Sequence, residues 1–137
     1  MIIDSEQALI SLGEQIGKTL KAPVVVELIG DVGAGKTTLT KGIAKGLKLD
    51  DEITSPSFTI SKRYKNDNVE LVHYDFYRLT DPGIMSEDLE ESLSDPNIVT
   101  IIEWGNSVEN LLPEKHPKIT IKTRDDGTRE VVTENLS

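Results

Sequence analysis

The feature that most constrains this chain is a glycine-rich turn between an apolar segment and a helical pattern. The turn reads Gly30-Asp-Val-Gly-Ala-Gly-Lys-Thr37 and satisfies the spacing G-x-x-x-x-G-K-[ST]. It follows a β-branched run from Pro23 to Ile29, and after it Leu39 and Ile43 recur at helical spacing. A strand, a glycine turn and a helix in this order predict a loop whose backbone N–H groups surround a phosphate at a helix N-terminus.

Each part of this loop has a predicted task. Gly33 and Gly35 let the backbone approach a phosphate closely, and Lys36 is expected on the β- and γ-phosphates. The Thr37 hydroxyl is expected to bind Mg²⁺. The loop therefore predicts a nucleoside triphosphate and Mg²⁺ as cofactors, and the absence of guanine-reading motifs makes ATP the expected nucleotide. The full set predicted to bind the nucleotide is Asp31, Val32, Gly33, Ala34, Gly35, Lys36, Thr37, Thr38 and Trp104.

Two acidic residues follow candidate strands at the edge where α/β sheets build their sites. Glu103 comes directly after an apolar strand over residues 98–102, as a Walker B acid does, and is predicted to bind the metal with Thr37. Asp75 follows a second candidate strand and is predicted to orient or deprotonate the attacking water. With Lys36, these acids form the predicted catalytic set. Trp104 is interpreted either as a site residue beside Glu103 or as core filler.

The rest of the chain completes an α/β pattern. The expected fold is a three-layer fold of the P-loop NTPase type, with a central, mostly parallel sheet, antiparallel additions and flanking helices. The other predicted elements are a four-turn helix after Asp4 or Ser5, strands over 58–64 and 69–74 joined as a hairpin, an acidic helix over about 86–92, a strand over 97–102 and a C-terminal hairpin around 119–121 and 130–133.

Length and composition narrow the class of protein. A chain of 137 residues suits one domain, predicted here over residues 1–137. Charged residues make up 28% of the chain and no long apolar run is present, which predicts a soluble protein with no membrane association. An acidic N-terminus and the absence of cysteine favour a cytoplasmic location. The formal charge of -9 disfavours direct binding to a nucleic acid.

Four blocks in order along the chain resemble the TsaE (YjeE) family of small bacterial P-loop ATPases, which take part in making threonylcarbamoyladenosine in transfer RNA. The blocks are Gly30-Asp-Val-Gly-Ala-Gly-Lys-Thr-Thr38, Thr54-Ser-Pro-Ser-Phe58, His73-Tyr-Asp-Phe-Tyr-Arg78 and Ile102-Glu-Trp104. They span most of the chain, and together they are more specific than the glycine loop alone.

The resemblance implies an ATPase that works with the TsaB–TsaD heterodimer and supports its turnover. The transfer itself would belong to the transferase subunit of that heterodimer, and this chain would meet transfer RNA only indirectly, through its partners. The second block resembles the family's switch-like loop, which comprises Thr54, Ser55, Pro56 and Ser57 in this sequence. An acidic surface is compatible with such a role, because a partner would carry most of the RNA contact.

Three other functions share the glycine loop. A GTPase is disfavoured because the guanine-reading N-K-x-D motif and the D-x-x-G switch are both missing from the sequence. A small-molecule kinase would need a lid and a substrate pocket, which 137 residues supply with difficulty, but it stays open as the second enzymatic interpretation. A nucleotide-gated adaptor with negligible hydrolysis stays open as the non-enzymatic alternative.

Overall fold

The computed structural model describes residues 1–31, 33–49, 61–76, 84–104 and 109–136, and everything structural below refers to these ranges. They contain seven strands and three helices. The strands are β1 (Ile2–Ile3), β2 (Val24–Ile29), β3 (Ser61–Lys65), β4 (Glu70–Asp75), β5 (Ile98–Glu103), β6 (Lys118–Thr123) and β7 (Arg129–Glu134). The helices are α1 (Glu6–Thr19), α2 (Lys36–Gly46) and α3 (Ile84–Ser94).

The seven strands form one mixed sheet in the order β1-β7-β6-β2-β5-β4-β3. The four central strands β6, β2, β5 and β4 are parallel to one another, whereas β1, β3 and β7 add to the edges in antiparallel pairs. The carboxyl ends of β2, β4 and β5 therefore meet at one edge of the sheet. Ligands of open α/β sheets bind at this edge.

Helices cover the sheet on two faces and create two apolar cores. The larger core lies under α1 and α2 and includes Leu9, Leu39 and Ile43 packed against Val26 and other strand residues. The second core lies under α3, where Leu89 packs against strand residues of the opposite face. The predicted α/β fold, with its parallel centre, antiparallel additions and flanking helices, is confirmed.

Local sequence signals explain most of the elements. The Ser5 hydroxyl accepts a hydrogen bond from the Ala8 N–H at 3.0 Å and caps α1, whose 14 residues make the four turns predicted. The predicted acidic helix over about 86–92 corresponds to α3, which is longer and extends from Ile84 to Ser94. The short strand β1 was not predicted. Residues 58–60 of the predicted first hairpin strand lie outside the described residues.

No described helix has the length and apolar character that a membrane crossing requires.

Glycines let α1 lie unusually close to α2. A Cβ at Gly42 would lie 2.9 Å from the Cα of Gly13 and closer still to the Ile10 carbonyl oxygen. A Cβ at Gly46 would meet the Cα of Gly17 at 2.9 Å. The two helix backbones are therefore in direct contact, which fixes α2 and the loop that precedes it against α1.

We expect Gly42→Ala to destabilise the protein, although alanine has the higher helix propensity by about 1 kcal/mol. The added methyl group has no space and must push the helices apart, and overpacking of this kind costs about 1–3 kcal/mol or more. Thermal unfolding should show a melting temperature several degrees below that of the wild type. Lys45→Ala, an exposed change on the same helix, is the control and should leave the melting temperature unchanged. A Gly42→Ala protein as stable as the control would contradict the close packing.

Candidate active site

The glycine loop joins the end of β2 to the start of α2, as predicted. Gly33 and Gly35 have φ angles of +83° and +109°, a region that residues with a side chain rarely adopt. The Ala34 N–H donates to the Asp31 carbonyl oxygen at 3.0 Å and closes a turn inside the loop. A Cβ at Gly33 would meet no atom of the described residues within 4 Å, apart from its chain neighbours.

The N-terminus of α2 presents backbone donors beside this loop. The first bond of the helix runs from the Leu39 N–H to the Gly35 carbonyl oxygen at 2.9 Å, so the N–H groups of residues 36–38 precede the helical ladder. Gly35 provides no side-chain cap, and the first turn of α2 has no acidic residue. The positive end of the helix dipole is therefore available to an anion.

Lys36 lies beneath the loop rather than in solvent, with 6% of its surface exposed. Its ammonium group donates a hydrogen bond to the Gly30 carbonyl oxygen at 2.5 Å. The same nitrogen lies 4.2 Å from the centroid of the Trp104 ring, within the range of a cation–π contact. Trp104 is half-buried and also packs against the second core, so both interpretations of this residue describe part of its environment.

Three carboxylates surround this ammonium group. Burial lowers the pKa of Lys36 below its ordinary value, and the negative charges of Glu103, Asp75 and Asp31 oppose that shift. The Lys36 Nζ atom lies 3.8 Å from Oε1 of Glu103, whose side chain is 5% exposed. The loop lysine and the strand-end acids thus form one charge cluster, in which Lys36 and Glu103 are buried and Asp75 is half-buried.

The sheet register explains why the two acids are adjacent. Asp75 at the end of β4 pairs with Glu103 at the end of the parallel strand β5, and Leu28 of β2 also pairs with Glu103. Paired residues of neighbouring strands lie about 4.8 Å apart and point to the same face of the sheet. Both acids therefore face the side that carries α1 and α2.

Glu103 has a second partner that the sequence did not indicate. His73 of β4 is fully buried, and its Nε2 atom lies 2.5 Å from Oε2 of Glu103. An ionised carboxylate can only accept, so the Nε2–H group donates this bond. The two oxygens of Glu103 thus have different neighbours, His73 for Oε2 and Lys36 for Oε1.

Tyr74, between His73 and Asp75, fixes the end of β4 on the face of the sheet that carries α3. The Tyr74 hydroxyl donates to Oδ2 of Asp88 at 2.6 Å and lies 2.8 Å from the hydroxyl oxygen of Ser92. Burial, aided by the Asp88 carboxylate, raises the pKa of this phenol, so it stays protonated as a donor. Helix α3 is thereby attached to the strand that ends at Asp75.

Two residues near Lys36 could supply some of the oxygen ligands of a magnesium ion. Thr37 and Glu103 supply hydroxyl and carboxylate oxygens, which are hard donors of the kind that Mg²⁺ prefers. Among the described residues there is no group of three or more His, Asp or Glu side chains that could hold a metal by itself. Mg²⁺ usually keeps water and phosphate ligands, so a pair of protein oxygens fits the predicted ion.

The opposite side of the loop carries residues that sequence reasoning missed. A Cβ at Gly35 would lie 2.7 Å from Cδ2 of Leu9 and 3.5 Å from Nε of Arg129. The Arg129 Nε atom is buried and has no hydrogen-bond partner among the described residues. Only the pairing of β7 with β6 brings this arginine to the loop, so no local signal identifies it.

The structure brings together most of the residues predicted for the site. Thr37 and Thr38 lie half-buried in the first turn of α2, and Asp31 is exposed at the start of the loop. Eight positions of the predicted site and the four blocks lie outside the described residues: Val32, the switch-like residues Thr54, Ser55, Pro56 and Ser57, then Phe58 of the second block, and Tyr77 and Arg78 of the third.

The parallel centre of the sheet, with its glycine loop between β2 and α2, defines an α/β protein of the P-loop class. The family model described as "TsaE: Threonylcarbamoyl adenosine biosynthesis protein TsaE" matches residues 3–131. The chain therefore belongs to the TsaE family, as the four sequence blocks predicted.

Individual relatives agree with this assignment. The chain is 33% identical over 133 residues to the tRNA threonylcarbamoyladenosine biosynthesis protein TsaE of Nostoc sp., a match that covers 95% of this chain and 82% of the relative. The protein of the same name from Bacillus subtilis is 42% identical over 108 residues, which are 78% of this chain and 66% of the relative. The crystal structure of Bacillus subtilis YdiB has a TM-score of 0.80 and 32% identity, covering 98% of this chain and 83% of that chain.

Proposed function

We propose that this protein is a Mg²⁺-dependent ATPase that supports threonylcarbamoyladenosine modification of transfer RNA. The observation that carries the proposal is the meeting of Lys36, Glu103 and Asp75, from three separate elements, beside the glycine loop. A loop that served only as a turn would require neither a buried lysine nor two acids at the adjacent strand ends. Membership of the TsaE family gives the modification pathway.

Each residue has a defined task in this proposal. The amides of Gly33, Gly35 and Lys36 hold the β- and γ-phosphates, and the Lys36 ammonium group turns from the Gly30 carbonyl oxygen to a phosphate oxygen. Thr37 and Glu103 would hold the magnesium ion, which would supply positive charge at the phosphates. Asp75, at the adjacent strand end, would orient or deprotonate the water that attacks the γ-phosphate.

The nucleoside half of ATP would extend away from the acids. Glu103 and Asp75 mark the γ-phosphate end, on the β5 and β4 side of the loop. Leu9 and Arg129 lie against Gly35, and Arg129 belongs to β7, which lies across β2 from β5 and β4 in the sheet. Arg129 thereby supplies a second positive charge beside the loop, close to the α-phosphate and the nucleoside.

The partner proposed is the TsaB–TsaD heterodimer, whose repeated turnover would depend on ATP hydrolysis by this chain. Contact with transfer RNA would then be indirect, in keeping with the formal charge of -9. A switch-like role for residues 54–57, a single domain over residues 1–137 and a cytoplasmic location stay predictions of this proposal.

Reconstitution tests this function. TsaB, TsaD, transfer RNA and the activated threonylcarbamoyl donor are combined with or without this protein and ATP, and modified RNA is counted per TsaD molecule. We expect product beyond one equivalent only when both this protein and ATP are present, together with release of inorganic phosphate. Product that accumulates equally without this protein would contradict the proposed role.

Phosphate release measured on the same samples separates the alternatives. A phosphorylated small molecule in place of free phosphate would identify a kinase. Multiple turnover that needs ATP but proceeds equally with a non-hydrolysable analogue would identify a nucleotide-gated adaptor. Either result would overturn the ATPase assignment and leave the family assignment intact.

A further inference from the structure

Among the described residues, His73 is a fully buried titratable side chain to which the proposed function gives no task. Its Nδ1 atom is buried and has no hydrogen-bond partner in the described part of the chain. An unpaired buried polar atom costs about 1–3 kcal/mol, so an apolar residue would serve the core better at this position. The bond from Nε2 to Glu103 is the feature that distinguishes His73 from a core residue.

The strand register shows from which side His73 reaches Glu103. His73 pairs with Ile101, two residues before the pair formed by Asp75 and Glu103, and all four face α1 and α2. His73 therefore lies one step further from the carboxyl edge of the sheet than either acid. It contacts Glu103 from the interior, and Glu103 separates it from the loop.

The Lys36 ammonium group is an alternative partner for Glu103, and pairing with it would prevent Glu103 from binding a metal. Its Oε1 atom is 3.8 Å from the Lys36 ammonium group, and both side chains are almost fully buried. Attraction between opposite charges is strong where water is excluded, so an unrestrained Glu103 would close onto Lys36 as a contact ion pair. In that ion pair, Lys36 would no longer be available to a phosphate, and Glu103 would no longer be available to the metal.

We infer that His73 is a positioning residue: by holding Oε2, it keeps the Glu103 carboxylate turned with Oε1 towards the loop and prevents its closure onto Lys36. This inference rests on the proposed function, since it assigns His73 a task within the same ATP site. Hydrogen bonds that orient metal-binding carboxylates typically contribute about 10–100-fold to metal affinity or activity.

Two amide substitutions of His73 test this inference, because their side chains differ mainly in whether they are long enough to reach Glu103. His73→Gln places an N–H group near the position of Nε2 and can still donate to Glu103, whereas the shorter side chain of His73→Asn cannot reach it. Thr100→Val is the matched control. Thr100 is equally buried on β5, its hydroxyl has no hydrogen-bond partner among the described residues, and it contributes to the opposite face of the sheet. Melting temperatures confirm that each variant is folded.

Calorimetry then measures ATP affinity with Mg²⁺ and in EDTA, and the ratio of the two affinities reports the contribution of the metal. We expect His73→Asn to lower this ratio by about 10-fold or more and to weaken ATP binding in EDTA, because Lys36 is captured by Glu103. His73→Gln should restore most of both values, and Thr100→Val should match the wild type. The rate of hydrolysis should follow the same order.

The outcomes separate this inference from the function on which it rests. A wild-type protein that binds no ATP would overturn the proposed function itself. Wild-type binding with an unchanged ratio in His73→Asn, or an equal loss in the Gln and Asn variants when both are folded, would overturn the positioning role alone. If the Asn variant does not fold, the Gln variant still tests the positioning role. A ratio of ATP affinities with Mg²⁺ and in EDTA that is well below that of Thr100→Val would overturn the role.

Discussion

Replacing Lys36 with alanine is expected to lower the affinity for ATP by about 100-fold, or about 2.7 kcal/mol. A hydrogen bond from an ammonium group to a phosphate is charge-assisted and lies in the stronger class, and the lysine also supplies the main point charge of the loop. Its burial means that little solvent screens that charge. Calorimetric titration with ATP and Mg²⁺ measures the change directly.

The control for this variant is Lys41→Ala, which removes the same charge from an exposed position on α2. Comparing the two variants separates the local contact from a general change in net charge. Removing Lys36 also leaves Glu103 without its nearby cation, so the melting temperature of the variant must be measured first. A folded Lys36→Ala protein that binds ATP as tightly as Lys41→Ala would remove this lysine from the nucleotide site.

Glu103→Gln is expected to reduce ATP hydrolysis by about 100-fold or more while lowering ATP affinity in the presence of Mg²⁺ by only about 10-fold. Glutamine keeps the shape of the side chain and still accepts a bond from His73, but it removes the charge proposed to hold the metal. Asp75→Asn should show the same pattern, because its proposed task concerns the attacking water rather than the nucleotide. Steady-state phosphate release and calorimetry give the two quantities.

The chain contains a matched control for Glu103. Glu27 of β2 also bonds a buried histidine, with Oε1 at 2.7 Å from Nε2 of His116, but it faces the opposite side of the sheet. Glu27→Gln therefore disturbs a similar pair away from the loop and should leave hydrolysis unchanged. Equal losses of binding and hydrolysis in Glu103→Gln, or a similar loss of hydrolysis in Glu27→Gln, would contradict the role assigned to Glu103.

The sequence predicts the elements around the loop well because their signals are local. Ser5 caps a helix whose apolar residues repeat at helical spacing, and the β-branched run before Gly30 suits a strand buried on both faces. The positions of Asp75 and Glu103 at strand ends are also readable, since parallel strands end at one edge. The adjacency of these two acids can therefore be predicted from the amino-acid sequence alone.

What the sequence does not show depends on pairing between distant segments. The bond from His73 to Glu103 requires the register of β4 on β5, and the approach of Arg129 to Gly35 requires the pairing of β7 with β6. Neither register leaves a pattern within one segment. Such contacts follow from tertiary packing, which periodicity and capping signals do not encode.

The central claim is that the glycine loop wraps a triphosphate, and a crystal structure grown with Mg²⁺ and a non-hydrolysable ATP analogue tests it most directly. We predict that the β-phosphate lies within hydrogen-bond distance of the amides of Gly33, Gly35 and Lys36, and that the Lys36 ammonium group contacts a phosphate oxygen instead of the Gly30 carbonyl oxygen. A nucleotide bound elsewhere on the protein, with Lys36 still donating to Gly30, would contradict the claim.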